Sequence, residues 1–338
     1  MANLHHTLSL LLLTLILPLS SPSQLQKQED PIRIDPYIID YRNGTVVAAT
    51  NTITVPPPND SNVQSKDIEI TYSGRPLRAR VFLPARPEPS RKIPILVYFH
   101  GGAFCIGSPR SELDSRFVAR VVAEAHVIAL SLDYTLFPNG VVPAPYDDAW
   151  AFLKWVAAHR LAAHVPESDP WLARFGDVDR IFVGGDSAGG NIVHNMAIRA
   201  GQTGTVGLTG AFLAMPYFLG SSRVGREPDI TTSCNFKIWA YVCPNCKAGV
   251  DDPVINPFGP GAPSLRDLGC ERMLVYVAEV DELRERDLLY YEQVKKSGWP
   301  GRIELVEAKG ERHVFHILTP DRPATAKLIQ DLAKFLNA

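Results

Sequence analysis

One serine in this 338-residue chain, Ser187, has neighbours that could turn its hydroxyl group into a nucleophile. It is the third residue of G-D-S-A-G (185–189), with the apolar run 180–186 before it and helical spacing over 188–200 after it. Such a strand–turn–helix is so tight that only tiny residues fit two positions either side of the serine. The turn lifts the hydroxyl above the sheet towards a helix N-terminus, where free N–H groups favour developing negative charge. The pattern predicts a serine that attacks a carbonyl carbon.

A serine hydroxyl needs a general base, and His313 is the histidine in the expected place. It lies between the apolar run 302–309 and the terminal helical stretch 322–337, which fits a Ser…Asp…His order along the chain. His316, three residues later, is the competing histidine, because the other candidates fall within predicted strands or helices. We therefore predict that His313 is the base.

The base must be oriented by a carboxylate, and Asp281 is the predicted one. It ends the apolar run 273–281, which places it at the same edge of the sheet as the serine. Three other carboxylates compete for this role: Glu279 within that run, Glu282 directly after it, and Asp287 on the following helix.

A second glycine-rich turn predicts the groups that would hold an oxyanion. Residues 100–104 read H-G-G-A-F and follow an apolar run. Small residues allow backbone N–H groups to approach a tetrahedral oxygen to about 3 Å. The expected donors are Gly101 and Gly102, with the N–H of Ala188 as a third, and His100 is expected to brace the loop.

These residues sit in an alternation of apolar runs and amphipathic stretches. Eight runs predict strands, at 67–72, 77–84, 94–100, 126–134, 180–186, 211–217, 273–281 and 302–309. Five stretches have the spacing of helices, at 111–124, 145–163, 188–200, 283–297 and 322–337. The alternation predicts an α/β fold with a doubly wound, mostly parallel sheet, helices on both faces, and ligands beyond the carboxyl ends of the strands.

The remaining segments set the predicted domain boundaries. Residues 24–66 are polar and proline-rich, which indicates an extended lead-in. Residues 218–262 hold Gly, Pro and Cys without a strand pattern, which predicts an insertion over one end of the sheet. We expect a single α/β domain over 67–338, and the length requires no second one.

The N-terminus predicts a secretory signal peptide over 1–23. Residues 7–19 are apolar, too short to span a bilayer comfortably, and followed by small residues, although no lysine or arginine precedes them. Two glycosylation triplets, at Asn43 and Asn59, agree with this interpretation. The expected location is secreted, vacuolar or in the ER lumen, without stable membrane insertion after cleavage. An ER anchor or a cytoplasmic protein is the alternative.

Composition and charge exclude several classes of protein. With 46% apolar and 21% charged residues, the chain is not disordered, collagenous or a coiled coil. The 34 basic and 36 acidic residues leave a net charge of −2, so nucleic acid is not an expected partner.

Cys243 and Cys246 have CxxC spacing, but a zinc site would need a second pair of ligands. We therefore expect these two cysteines to form a loop disulfide or to remain free thiols. No metal or organic cofactor is implied.

Together the motifs resemble those of the plant carboxylesterase family of α/β-hydrolases, close to the hormone-sensitive-lipase group. The resemblance covers about residues 31–338, and its markers are His100-Gly101-Gly102, Asp133-Tyr134, Tyr146-Asp147-Asp148-Ala149-Trp150, Gly185 to Asn191, Asp252-Pro253, Asn256-Pro257, Val277-Ala278-Glu279 and His313 to His316. The resemblance implies the α/β-hydrolase fold and hydrolysis of esters of small specialised metabolites. It also implies a cap made from the N-terminal segment and residues 218–262.

The chain departs from the family pattern at four positions. Ala103 replaces the third glycine of the oxyanion loop, and Thr135 and Asn139 stand where an arginine and a glutamate are usual. Arg312 replaces the glycine before the base. Arg312 either lowers the pKa of His313, contacts an anionic substrate, or is an exposed loop residue.

Three functions agree with this sequence. The first is a serine carboxylesterase that acts through an acyl-enzyme. The alternative is a cyclase, dehydratase or eliminase of specialised metabolism on the same scaffold, for which members of the family provide precedent. The third is a receptor-like binding protein; the related gibberellin receptors lack the catalytic histidine, whereas His313 is present here. The sequence leaves the oligomeric state open.

Overall fold

One eight-stranded sheet forms the centre of the chain in a computed structural model, which describes residues 30–49, 52–88, 90–161, 167–229 and 232–338. The described strands are β1 (Ile32–Ile34), β2 (Ile38–Asp40), β3 (Val46–Ala48), β4 (Val63–Tyr72), β5 (Arg75–Pro84), β6 (Ile93–Phe99), β7 (Ile128–Leu132), β8 (Gly176–Asp186), β9 (Leu208–Ala214), β10 (Cys270–Val280) and β11 (Arg302–Arg312). The large sheet has the order β11-β10-β9-β8-β6-β7-β5-β4. Strands β6 to β11 pair in parallel, and β5 pairs antiparallel with β4 and β7. The predicted mostly parallel sheet of eight strands is confirmed.

Helices cover both faces of this sheet. The described helices are α1 (Glu112–Ala125), α2 (Ala144–Ala158), α3 (Pro170–Phe175), α4 (Ala188–Thr203), α5 (Cys234–Val242), α6 (Arg284–Lys296), α7 (Phe315–Leu318) and α8 (Pro323–Asn337). Helices α1 and α8 bury Phe117 and Leu332 against one face, while α2 and α4 bury Trp155 and Val193 against the other. The five predicted helices are present. The other three have nine residues or fewer, too few for a periodic pattern to register.

The register of the parallel strands brings four strand ends together. Phe99 at the end of β6 pairs with Gly185 of β8, so the loop after β6 lies beside the turn after β8. Val280 at the end of β10 pairs with Arg312 at the end of β11, so the next residues, Asp281 and His313, are neighbours. All these ends point to one edge of the sheet, where doubly wound folds bind their ligands.

The N-terminal lead-in contains more regular structure than the sequence pattern predicts. Strands β1 to β3 form a small antiparallel sheet of their own, and β4 begins at Val63 instead of the predicted residue 67. Strands of three residues are too short to show an alternating pattern. The predicted signal peptide, 1–23, lies outside the described residues.

The 218–262 segment contributes α5 and, in its described residues, no strand. A disulfide joins Cys243 and Cys246 after this helix, which is one of the two states expected for the CxxC pair. Cys105, Cys234 and Cys270 are free thiols. The boundaries of the cap remain a prediction.

The unusual stretch 133–139 is accommodated by partners from elsewhere in the chain. The carboxylate of the buried Asp148 accepts hydrogen bonds from the Thr135 N–H at 3.0 Å and from the Thr135 hydroxyl at 2.5 Å. It also pairs with the Arg75 guanidinium of β5 at 2.9 Å. Asp148 is therefore fully satisfied without an arginine at residue 135.

Candidate active site

Ser187 forms the turn between β8 and α4 and is held in a strained backbone conformation. Its φ of 50° and ψ of −117° are rare for a residue with a side chain, and such strain persists only where the surroundings enforce it. A side chain at Gly189 would overlap the carbonyl oxygen of Phe99, and one at Gly185 would lie 2.6 Å from the same oxygen. The two glycines are therefore required by the close approach of β6 to the turn, as the sequence pattern predicts.

His313 bridges Ser187 and Asp281. Its Nε2 lies 2.9 Å from the Ser187 Oγ, and its Nδ1 lies 2.7 Å from an Asp281 carboxylate oxygen. Burial alone would lower the pKa of His313, but the charge of Asp281 and the hydrogen bond to it, together with the charges of Asp186 and Glu282, outweigh burial and raise the pKa above its ordinary value. The geometry suits a histidine that takes a proton from a serine.

Asp281 is the carboxylate that reaches the histidine, and its rivals have other surroundings. The side chain of Asp281 is fully buried, and its other oxygen accepts a hydrogen bond from the Leu283 N–H at 3.0 Å. Glu279 accepts the Gly310 N–H at 2.8 Å in the irregular pairing of β10 with β11. Glu282 contacts the side-chain amide of Asn235.

The remaining rivals are buried and form no hydrogen bond with Ser187. Both carboxylate oxygens of Asp287 are buried on α6 without a hydrogen-bond partner. Both ring nitrogens of His316 are buried without a partner, and the ring packs edge-on against Phe117 at 4.8 Å. Burial lowers the pKa of His316 to about 3, and the nearby His313 adds to the effect. His316 is therefore a neutral packing residue.

The loop after β6 carries two of the predicted oxyanion donors, Gly101 and Gly102, and the third, Ala188, directly follows Ser187. Gly102 has a φ of 107°, and a side chain there would overlap the carbonyl oxygen of Ile106. Among the described residues, neither Gly101 nor Gly102 donates its N–H to another group. Ala188 is the first residue of α4, so its N–H has no partner within the helix. These N–H groups can serve a bound anion.

His100 braces this loop, as predicted, together with an aromatic residue that sequence reasoning missed in this role. Its Nδ1 lies 2.7 Å from the Gly101 carbonyl oxygen, and its ring stacks on Tyr134 at 4.4 Å. The Tyr134 hydroxyl donates to the His100 carbonyl oxygen at 2.8 Å. The pattern D-Y at 133–134 marks the family without revealing this contact.

Tyr98 is a second residue whose role the sequence does not reveal. It lies within the continuous apolar strand β6, where a tyrosine is indistinguishable from a core residue. Its hydroxyl donates a 2.7 Å hydrogen bond to Asp186, directly before Ser187. Arg312, in contrast, has an exposed side chain at the end of β11.

Neither a cluster of metal ligands nor a membrane-spanning helix is found in the described part of the chain. No three or more histidine, cysteine, aspartate or glutamate side chains there cluster as metal ligands would. Likewise, no helix of that part has the length and apolar character needed to cross a membrane.

Comparison with known proteins defines the family. Residues 96–317 match the family described by the alpha/beta hydrolase fold. The chain is 41% identical over 326 residues to a 2-hydroxyisoflavanone dehydratase of Glycyrrhiza echinata, covering 94% of this chain and 99% of that protein. It is 39% identical over 318 residues to probable carboxylesterase 2 of Arabidopsis thaliana, covering 92% and 98%. This chain belongs to the α/β-hydrolase family and resembles its plant carboxylesterases, as the motifs indicate.

A solved structure supports the same fold. A thermostable esterase from Pseudomonas putida superimposes with a TM-score of 0.69 at 24% identity, covering 82% of this chain and 83% of that one. The expected fold and the expected class, a carboxylesterase-like enzyme, are thereby confirmed.

The comparisons also correct the predicted location. A tuliposide A-converting enzyme of Tulipa gesneriana, 38% identical over 320 residues and covering 94% of this chain and 82% of that protein, is named as amyloplastic. The prediction of a secretory-pathway location is therefore wrong. Its physical weakness is the missing positive segment before residues 7–19, which a signal peptide normally carries. Glycosylation of the exposed Asn43 and Asn59 depended on that location.

Proposed function

We propose that this protein is a serine carboxylesterase acting on esters of small plant specialised metabolites. The observation that carries the proposal is the hydrogen-bonded chain from Ser187 through His313 to the buried Asp281 at the carboxyl edge of the sheet. A hydroxyl, an imidazole and a carboxylate in this order are the parts needed to activate a serine. The tulip relatives, named as tuliposide-converting enzymes, favour a specialised metabolite as substrate.

The proposed reaction has two halves. The Ser187 Oγ attacks the ester carbonyl carbon while the His313 Nε2 accepts its proton, and Asp281 stabilises the resulting imidazolium. The N–H groups of Gly101, Gly102 and Ala188 stabilise the oxyanion, and collapse of the tetrahedral intermediate passes the proton to the leaving alkoxide. Water then attacks the acyl-enzyme with His313 again as the base, which releases the acid and the free serine.

Covalent trapping tests this proposal at the level of one residue. Diethyl p-nitrophenyl phosphate should phosphorylate Ser187 and release p-nitrophenol, and peptide mass spectrometry should find the diethylphosphoryl group on the peptide that contains 185–189. His313→Gln should slow the labelling strongly because the hydroxyl loses its base. Labelling on other residues alone, or at equal rates in this variant, would refute a nucleophilic Ser187.

A second candidate, a dehydratase, is favoured by one observation. Two legume proteins named 2-hydroxyisoflavanone dehydratase align along nearly their whole length, at 41% and 38% identity. Here His313 would move a proton and the oxyanion donors would polarise a carbonyl group, without an acyl-enzyme. Incubation with a 2-hydroxyisoflavanone distinguishes the two: a product lighter by one water supports dehydration, and no turnover beside active ester hydrolysis supports the esterase.

A further inference from the structure

Asp186 is a fully buried carboxylate for which the proposed reaction has no use. It lies between the nucleophile and the oxyanion loop, and its exposed fraction is 2%. On the side of β6, one carboxylate oxygen accepts the Tyr98 hydroxyl at 2.7 Å. The other oxygen, Oδ2, would overlap the first side-chain carbon of any residue other than glycine at position 101. The carboxyl group is thus in direct contact with the backbone of an oxyanion donor.

We propose that Asp186 is a positioning residue for both halves of the site. Its carboxyl group sets the distance between the oxyanion loop and the Ser187 turn by packing against Gly101, and its negative charge supports His313 as a base. The inference rests on the proposed esterase function, and it adds a requirement for an acid, in place of any small residue, directly before the nucleophile.

Asp186 packs against Gly101 through its carboxyl group and its backbone. The hydrogen atom that replaces a side chain there faces Asp186 Oδ2, and the Asp186 carbonyl oxygen would lie 3.2 Å from a side-chain carbon. An oxyanion donor gains its effect from being fixed before the reaction begins, so a shift of the loop costs rate more than binding. The Tyr98 hydrogen bond keeps the carboxyl group in the rotamer that touches the loop.

Asp186 and His313 interact electrostatically with each other and with a small set of titratable neighbours. Asp186 is faced by Tyr98 of β6, Asp114 of α1, Tyr134 after β7 and His313 after β11. His313 is faced by Asp281, Asp186, Glu282 and His316. Burial and the charge of Asp114 together raise the pKa of Asp186 to about 7, against the lowering effects of the Tyr98 hydrogen bond and the charge of His313. Its ionisation therefore overlaps the pH range in which a histidine base works.

Two substitutions at residue 186 separate the two effects. Asp186→Asn preserves the shape and the acceptor for Tyr98 but removes the charge, whereas Asp186→Ala removes the contact with Gly101 as well. We expect Asp186→Asn to lower the pKa of His313, measured by NMR titration of labelled histidine rings and assigned with His313→Gln. We expect kcat of Asp186→Ala to be about tenfold lower than kcat of Asp186→Asn, with little change in KM, since the loop geometry matters in the transition state.

The control is Asp287→Asn. Asp287 is a second fully buried carboxylate, and it forms no hydrogen bond with Gly101 or Ser187. It should leave kcat and the pKa of His313 unchanged. Rates are expressed per active site, counted with diethyl p-nitrophenyl phosphate, so that a loss of folded protein does not imitate a loss of kcat.

The contact itself is tested by a double-variant cycle. Gly101→Ala and Asp186→Ala should be non-additive, with the double variant more active than the product of the two single losses, because removing the carboxyl group makes room for the new methyl group. The NMR titration needs no turnover, so it judges Asp186 even if wild-type protein hydrolyses no ester, a result that would defeat the proposed function alone. An unchanged pKa of His313 together with additive losses would overturn the positioning role.

Discussion

The Nε2 of His313 lies 2.9 Å from the Oγ of Ser187, although 126 residues separate the two in the chain. Two parallel strands, β8 and β11, end at the same edge of the sheet and carry them there. The pairing of Val280 with Arg312 adds Asp281 beside the histidine. The geometry of the site therefore depends on the register of these strands.

Replacing Asp281 by asparagine should remove most of the activity without unfolding the protein. The imidazole would lose the carboxylate that fixes its tautomer and stabilises its cation, so we expect kcat to fall by about 10⁴-fold. Glu282→Gln is the matched control, because Glu282 is the neighbouring carboxylate and contacts Asn235 instead of the histidine. Steady-state hydrolysis of p-nitrophenyl acetate measures both variants. Equal losses of activity in the two variants would show that Asp281 is not the acid that orients the histidine.

The pH dependence of kcat/KM should report the raised pKa of His313. The base must be neutral to act, so activity should rise with pH through that pKa, and the rise should lie above 6.5, the ordinary value. Glu282→Gln removes one of the charges that raise the pKa, so it should move the rise to lower pH. A rise that stays in place in this variant would argue against the electrostatic account.

The same shift has a consequence for stability, with a sign that can be checked. A group whose pKa is higher in the folded state than in the unfolded state stabilises the fold below its unfolded pKa. The contribution of His313 should therefore be complete below about pH 6.5 and decline as the pH rises through its folded pKa. Urea unfolding of wild type and His313→Gln across this range should show the difference between them shrinking with pH. A difference that grows with pH would contradict the raised pKa.

Replacing His316 by leucine should leave activity intact, although His316 is only three residues from the proposed base. Its two ring nitrogens are buried without partners, and an apolar side chain removes that unsatisfied polarity. We expect unchanged kcat and an unchanged or higher melting temperature, measured by hydrolysis rate and thermal unfolding. Loss of activity at full stability would show that the choice between the two histidines is wrong.

Gly189→Ala should destabilise the protein strongly. The new methyl group would overlap the carbonyl oxygen of Phe99, and such overpacking against backbone costs about 3 kcal/mol of unfolding free energy. Gly207→Ala is the control, because a side chain at Gly207 meets nothing within 4 Å. Urea unfolding should show a change of less than about 0.5 kcal/mol for the control. Equal effects would refute the steric account of the turn.

Sequence reasoning places Ser187, Asp281 and His313 at one edge of the sheet because the determinants of that placement are local or topological. The glycines around Ser187 reflect a steric requirement of the turn, and the alternation of strands and helices dictates which strand ends meet. The contacts of Tyr98 and Tyr134 are beyond sequence reasoning, because a tyrosine in an apolar strand or after one looks like any core residue.

The N-terminal region shows where sequence reasoning fails. The strands β1 to β3 are too short to produce a readable period, and they form their sheet apart from the large one. The apolar run 7–19 resembles a signal peptide in length, but the positive segment that normally precedes such a run is absent.

The most direct test of the account is the rate of p-nitrophenyl acetate hydrolysis by wild-type protein and by Ser187→Ala, with melting temperatures measured on both. We predict that wild type hydrolyses the ester and that Ser187→Ala, folded and equally stable, loses activity by about 10⁴-fold or more, since the acyl-enzyme can no longer form. Hydrolysis at an undiminished rate by Ser187→Ala would contradict the central claim that this serine is the nucleophile.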